Sequence, residues 1–176
     1  MRVYLLDTNV VSDWLDATRS RHQAISAAIE EHARVDAVLL TSTVVLGEIE
    51  YGIQVAPSEK IEALGALRAQ VEVQFVHRRF LLAPERSTAL VYGDLRAKLF
   101  EKYAPGRKRR KGMRPEQLTD PESSLSLGIQ ENDLWIAAQA VERNLVLVSN
   151  DAVRRIRSVA PELRVEDWAH GIGAGE

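Results

Sequence analysis

Residues 4–15 read YLLDTNVVSDWL. The run RVYLLD (2–7) reads as a short strand, and it stops on a carboxylate, Asp7, with Thr8 and Asn9 behind it. Such an acid either opens a turn or sits where chemistry uses it. Taken alone, Asp7 is accounted for as the cap of a following helix. The choice turns on whether other acids arrive at the same place.

Working outward, short apolar runs alternate with longer amphipathic ones. Helical material over 12–33 is broken around DATRS (16–20). DAVLLTS (36–42) reads as a second strand, with Ser42 as N-cap of the helix TVVLGEIEYGIQV (43–55). Pro57 opens a further helix, and ERSTALVYGDLRAKLFEKY (85–103) forms another. Residues 104–130 are rich in Pro, Gly, Ser and basic side chains, with little core-forming pattern. Then come the helix NDLWIAAQAVERN (132–144), the strand LVLVSND (145–151), a short helix AVRRIRSV (152–159) and the run LRVEDW (163–168). Strands separated by helices predict an α/β fold with a parallel sheet covered on both faces. One core and no repeat predict a single domain over 1–170, with 104–130 as an inserted loop and a frayed tail at 171–176.

The 176 residues are long enough to bury a proper core. With 45% apolar and 27% charged residues the composition is that of a soluble globular protein, and no apolar run approaches the ~20 residues that span a bilayer. MRVYLLDTN runs straight into the first strand, so no leader and no membrane association are expected. The absence of cysteine excludes disulfides and thiolate metal sites and fits a reducing cytoplasm. The net charge is −2, yet GRKRRKGMR (106–114) concentrates six of the 23 basic residues.

Three more acids stand out. Wound at about 100° per residue, Val44, Val45, Ile49, Ile53 and Val55 share one arc. Glu48 and Gly52 fall inside it, whereas Glu50 and Gln54 point away. A carboxylate on an apolar face is costly unless a cation or hydrogen-bond donors receive it, so Glu48 is the informative acid and Glu50 a surface one. In the helix at 132–144, Leu134, Ile136, Ala137, Ala138, Ala140 and Val141 form the apolar face, with Asp133 in its middle and Gln139, Glu142 and Arg143 opposite. Helix capping by Asn132 or Asp133 is the structural alternative, and the two roles are compatible. Asp151 ends the strand at 145–151 as Asp7 ends the first, and SND there is also turn chemistry. In open parallel sheets ligands sit outside the carboxyl ends of the strands. Four acids gathered there repel one another unless a hard cation, Mg²⁺ or Mn²⁺, receives them. Such a site activates water for attack on phosphorus, with one ion or with two at ~3.5–4 Å. His22, His32, His77 and His170 are scattered and read as surface or packing residues, so no histidine serves as general base.

LLDTNVVSDWL, LGEIEYGI, ENDLWIAAQA and LVLVSNDAVRRI, in this order, resemble the PIN-domain nucleases, and more closely the VapC-type toxin ribonucleases of VapBC toxin–antitoxin pairs. The resemblance implies a three-layer α/β/α sandwich with a central, mainly parallel sheet. It implies an acidic quartet of Asp7, Glu48, Asp133 and Asp151 as catalytic metal ligands, with Asn9 and Ser149 orienting ligands and water. It further implies Mg²⁺- or Mn²⁺-dependent cleavage of RNA, inhibition by a cognate antitoxin, and homodimerisation. The connection at 104–130 is longer than in compact members of the family.

Within it, Arg107, Lys108, Arg109, Arg110 and Lys111 are a candidate RNA clamp, a positive arm that offsets the repulsion between an acidic site and phosphates. The alternative is a solvated loop, and the run has no interleaved aromatics for base stacking. Trp14, Trp135 and Trp168 read as core or interface residues. Glu131, beside Asp133, reads either as a support to the metal through water or as an exposed acid. Competing functions are a housekeeping RNA-processing nuclease of the same fold, a non-catalytic RNA- or protein-binding module, and an aspartyl phosphatase. The last requires an aspartate at position 9, where Asn9 stands.

Overall fold

A computed structural model describes residues 2–76, 80–105, 112–149 and 153–169. Their elements run β1 (Val3–Leu6), α1 (Thr8–Leu15), α2 (His22–Ala33), β2 (Val38–Ser42), α3 (Thr43–Val55), α4 (Ser58–Val71), β3 (Leu81–Leu82), α5 (Arg86–Tyr103), α6 (Glu131–Glu142), β4 (Val146–Val148), α7 (Val153–Arg157) and β5 (Arg164–Glu166). The five strands lie in the order β3-β2-β1-β4-β5. β1 pairs in parallel with β2, Leu6 opposite Thr41, and with β4, Leu6 opposite Val148; β2 pairs in parallel with β3. β1, with β2 on one side and β4 on the other, is the strand from which the order runs both ways, the position at which open parallel sheets carry their sites.

The described residues group into two compact units. One is drawn from Met1–Ala83, Val146–Asn150 and Glu166–Glu176, the other from Pro84–Leu145 and Asp151–Val165. In the first, Tyr4, Leu5 and Leu6 are at most 1% exposed, as expected for a strand with parallel neighbours on both sides. Thr41 donates its hydroxyl to the Leu6 carbonyl at 2.9 Å, so a buried polar group is satisfied within the sheet. The break between α1 and α2 falls at DATRS, where Asp16 Oδ1 accepts from the Thr18 backbone N–H and hydroxyl. His32 and Trp168 are packing residues: the two rings stack with centroids 4.3 Å apart, and Tyr4 meets His32 edge-on. Trp14 meets Phe75 in an edge contact. His77, His170 and the tail at 171–176 lie outside the described residues.

The second unit is built on α5 and α6. Asn144, past the end of α6, has φ 53° and lets the chain turn into β4, with the Leu145 N–H donating to the Ala140 carbonyl at 2.8 Å. Asp36 does the same ahead of β2 with φ 54°. Left-handed backbone costs Asn and Asp less than other side chains, which explains the residue type at both turns.

Two expectations are corrected here. Gln139 is not on an outer face of α6 but fully buried, in a run from Ile136 to Ala140 that is buried throughout. Val55, placed on the apolar arc of α3, is 60% exposed at the end of that helix. The segment at 112–130 also has more structure than its composition suggests. A single helical turn (Pro115–Gln117) and an antiparallel bridge between Thr119 and Ser126 bring Leu118, Leu127 and Ile129 to 1% exposure or less.

Candidate active site

Asp7 is the residue immediately after β1, and its backbone N–H donates to the Val148 carbonyl of β4 at 3.2 Å. Its side chain is 6% exposed, and Oδ1 accepts from the Val10 N–H at 2.8 Å. Asp7 therefore caps α1, as the structural alternative predicts. A cap uses one carboxylate oxygen, so this role is compatible with ligation.

Ser149 occupies the equivalent place after β4, 1% exposed, with its N–H donating to the Glu166 carbonyl at 3.1 Å. The parallel register puts Asp7 and Ser149 at the carboxyl ends of adjacent strands. Asn9 stands exposed in the first turn of α1. Glu48 reaches the same edge by another route. Ser42, the last residue of β2, accepts from the Val44 N–H at 3.0 Å and so starts α3 directly at the strand end. Glu48 lies half-buried on this helix, and its carboxylate accepts a hydrogen bond from the Thr8 hydroxyl. Thr8, not marked by the sequence as a site residue, thus links the acid on α3 to the residue beside Asp7. Its signal was its position next to Asp7, which conventional capping also explains. Glu50 is the surface acid expected, 3.6 Å from Arg68 and accepting from Gln54 at 3.1 Å.

In the second unit, Asp133 stands in the first turn of α6, where Oδ2 accepts from the Gln130 N–H at 2.7 Å. The N-cap is Gln130 rather than Asn132 or Asp133, and Asp133 supports it from the third helical position. Glu131 accepts from Arg96 Nη1 at 2.8 Å and from the Tyr92 hydroxyl. Burial pushes the Glu131 carboxyl above its ordinary value, and the Arg96 and Tyr92 donors offset that burial cost. Trp135 stacks flat on Tyr92, centroids 4.0 Å apart. Asp151 and the run Arg107, Lys108, Arg109, Arg110 and Lys111 lie outside the described residues.

The oxygen-only donors at Asp7 and Glu48, with no cysteine in the chain, suit a hard cation such as Mg²⁺ or Mn²⁺ rather than a soft one. Among the described residues, no group of three or more His, Asp or Glu side chains is assembled as a metal-holding cluster.

A model of the PIN domain matches residues 4–160. The chain belongs to the PIN-domain family. Solved structures carry the same α/β/α architecture as this PIN domain. It is similar to a chain of VapBC2 from Rickettsia felis bound to a DNA fragment from its promoter, at 21% identity over 94% of this chain and 98% of that one, TM-score 0.65. DNA-bound VapBC from Salmonella typhimurium gives 23% identity, 96% and 99% coverage and a TM-score of 0.61. FitAcB from Neisseria gonorrhoeae gives 17%, 95%, 99% and 0.61. No curated protein matches the PIN domain in sequence. Among its described residues, no helix is long and apolar enough to cross a membrane.

Proposed function

We propose that this PIN domain is a divalent-metal-dependent endoribonuclease and the toxin of a type II toxin–antitoxin pair. The observation that carries the reading is Asp7, a carboxylate 6% exposed at the carboxyl end of the strand from which the sheet order runs both ways. A carboxylate at that edge is an oxygen donor of the kind a hard divalent cation takes, placed where open parallel sheets carry their sites. Glu48, tied to the same edge through Thr8, supplies the second oxygen donor.

In this reading Asp7, Glu48, Asp133 and Asp151 hold Mg²⁺ or Mn²⁺, and Asn9 and Ser149 orient ligands and water. The chemistry such an ion supplies is activation of water and neutralisation of charge at the scissile phosphate. The protein's part is positional: Asp7 is fixed by its cap to Val10, Glu48 by Thr8, and Asp133 by Gln130. Arg107, Lys108, Arg109, Arg110 and Lys111 draw the RNA backbone in by charge. The structural relatives include VapBC complexes, which supports a cognate antitoxin as partner and a cytoplasmic toxin, with homodimerisation as the family resemblance implies.

The test is cleavage of a mixed structured RNA pool by purified protein with Mn²⁺, with EDTA, and with Asp133→Asn in parallel. Cuts that need Mn²⁺ and vanish in both controls are expected. Cleavage that survives EDTA and the substitution contradicts the metal reading. The toxin role is tested separately: expression of the wild type arrests growth and Asp133→Asn does not, whereas unimpeded growth with an active nuclease points to RNA processing.

A further inference from the structure

Arg96, on α5, bonds to Tyr92 one turn back on its own helix and to two other segments of the chain. Its Nη1 donates to the Tyr92 hydroxyl at 2.5 Å and to Glu131 Oε1 at 2.8 Å, and its Nη2 donates to the Met113 carbonyl at 3.0 Å. Tyr92 donates to the same Glu131 carboxylate, and its ring lies flat on Trp135, with 6° between the planes. Glu131 and Trp135 are four residues apart on α6 and share one face. That face of the first turn is thereby gripped twice by α5, once through a carboxylate and once through a ring. At the start of the helix, Glu116 accepts from the Glu131 N–H at 2.8 Å.

Asp133 follows Glu131 by two residues, about 200° round the helix. It therefore projects from roughly the opposite side, and whatever fixes the rotation of the first turn fixes the direction of its carboxylate. We propose that Arg96, acting with Tyr92 through Glu131, is a positioning residue that aims Asp133 at the metal. Glu131 is then a strut between helices rather than a ligand. The inference rests on the reading of Asp133 as a metal ligand under the proposed function. An arginine suits the task because its planar fork bridges a carboxylate and a backbone carbonyl at once, which a lysine ammonium does with less directional control.

Electrostatics and geometry predict opposite signs here. Removing a cation near an acidic site by itself tightens binding of Mn²⁺, so weaker binding reports lost geometry. The experiment is calorimetric titration of Mn²⁺ into the full chain as wild type, Arg96→Met, Arg96→Lys and Asp133→Asn, each first shown folded by circular dichroism. Arg96→Met is expected to weaken Mn²⁺ binding by about 10-fold or more, the range seen when groups that orient metal ligands are removed. Arg96→Lys should recover part of the loss. Equal or tighter binding by Arg96→Met overturns the proposal. If Arg96→Met does not fold, Tyr92→Phe, which keeps the ring on Trp135 and removes only the hydroxyl, takes its place. Weaker binding supports the strut, and unchanged binding overturns it. If Asp133→Asn binds Mn²⁺ as the wild type does, the metal reading of Asp133 itself fails, and the strut's purpose falls with it.

Discussion

At Asp7 two roles share one side chain, and substitutions separate them. Asparagine keeps the acceptor that caps α1 and removes only the charge; alanine removes both. Asp7→Asn is expected to unfold at the wild-type temperature or slightly above, through relief of repulsion, and to lose cleavage. Asp7→Ala should lose cleavage and also about 1 kcal/mol of stability, read by urea unfolding. Cleavage retained by Asp7→Asn would remove Asp7 from the site. A second carboxylate shows what a purely structural acid does. The Thr18 hydroxyl, and then its backbone N–H, hold Asp16 below its ordinary value of 3.8. A depressed acid stabilises the fold above its unfolded pKa and loses that contribution as pH falls through the folded one. The melting-temperature advantage of the wild type over Thr18→Ala should therefore be full above about pH 4 and fade below it. An advantage independent of pH would mean that the hydroxyl acts through packing instead.

Among the elements, α6 shows how far pattern reading reaches. Its type, its ends to within two residues and Asp133 in its first turn were legible, whereas the N-cap falls on Gln130 rather than on Asn132 or Asp133, because an exposed glutamine carries no capping signal of its own. Gln139 was misplaced, because a polar residue on a helix buried nearly all round looks like the polar face of an amphipathic one. Its amide nitrogen and oxygen are buried with no hydrogen-bond partner among the described residues. Gln139→Met, close in volume and free of that desolvation cost, should stabilise the protein by about 1–3 kcal/mol in denaturant unfolding. A loss of stability would mean that the amide is satisfied in solution, as by a buried water. β3 escaped notice for a different reason. Two residues, Leu81 and Leu82, carry no period, and only pairing with Thr41 and Ser42 makes them a strand. β1 and α3 were read to within a residue or two, since apolar runs bounded by Asp7 and by Ser42 state both their type and their ends.

At the scale of the whole molecule, the acids were readable one by one from strand ends and helix faces, while their partners were not. Thr8, Tyr92 and Arg96 become visible as supports only once helices pack, since nothing in their local sequence distinguishes them from surface residues. The segment at 112–130 was underestimated for the same reason: Leu118, Leu127 and Ile129 lack a period but are buried by the long-range fold. Ile129→Ala should therefore cost about 2–5 kcal/mol, as in a core, and a change under about 0.5 kcal/mol in urea unfolding would make the segment an ornament. The central claim is that acids distant in sequence serve one cation-binding site. Its most direct test is calorimetric titration of Mn²⁺ into wild type, Asp7→Asn and Asp133→Asn at low ionic strength. The account predicts Mn²⁺ binding by the wild type that both substitutions abolish or weaken by at least tenfold. Binding heats that are the same in all three proteins would contradict it.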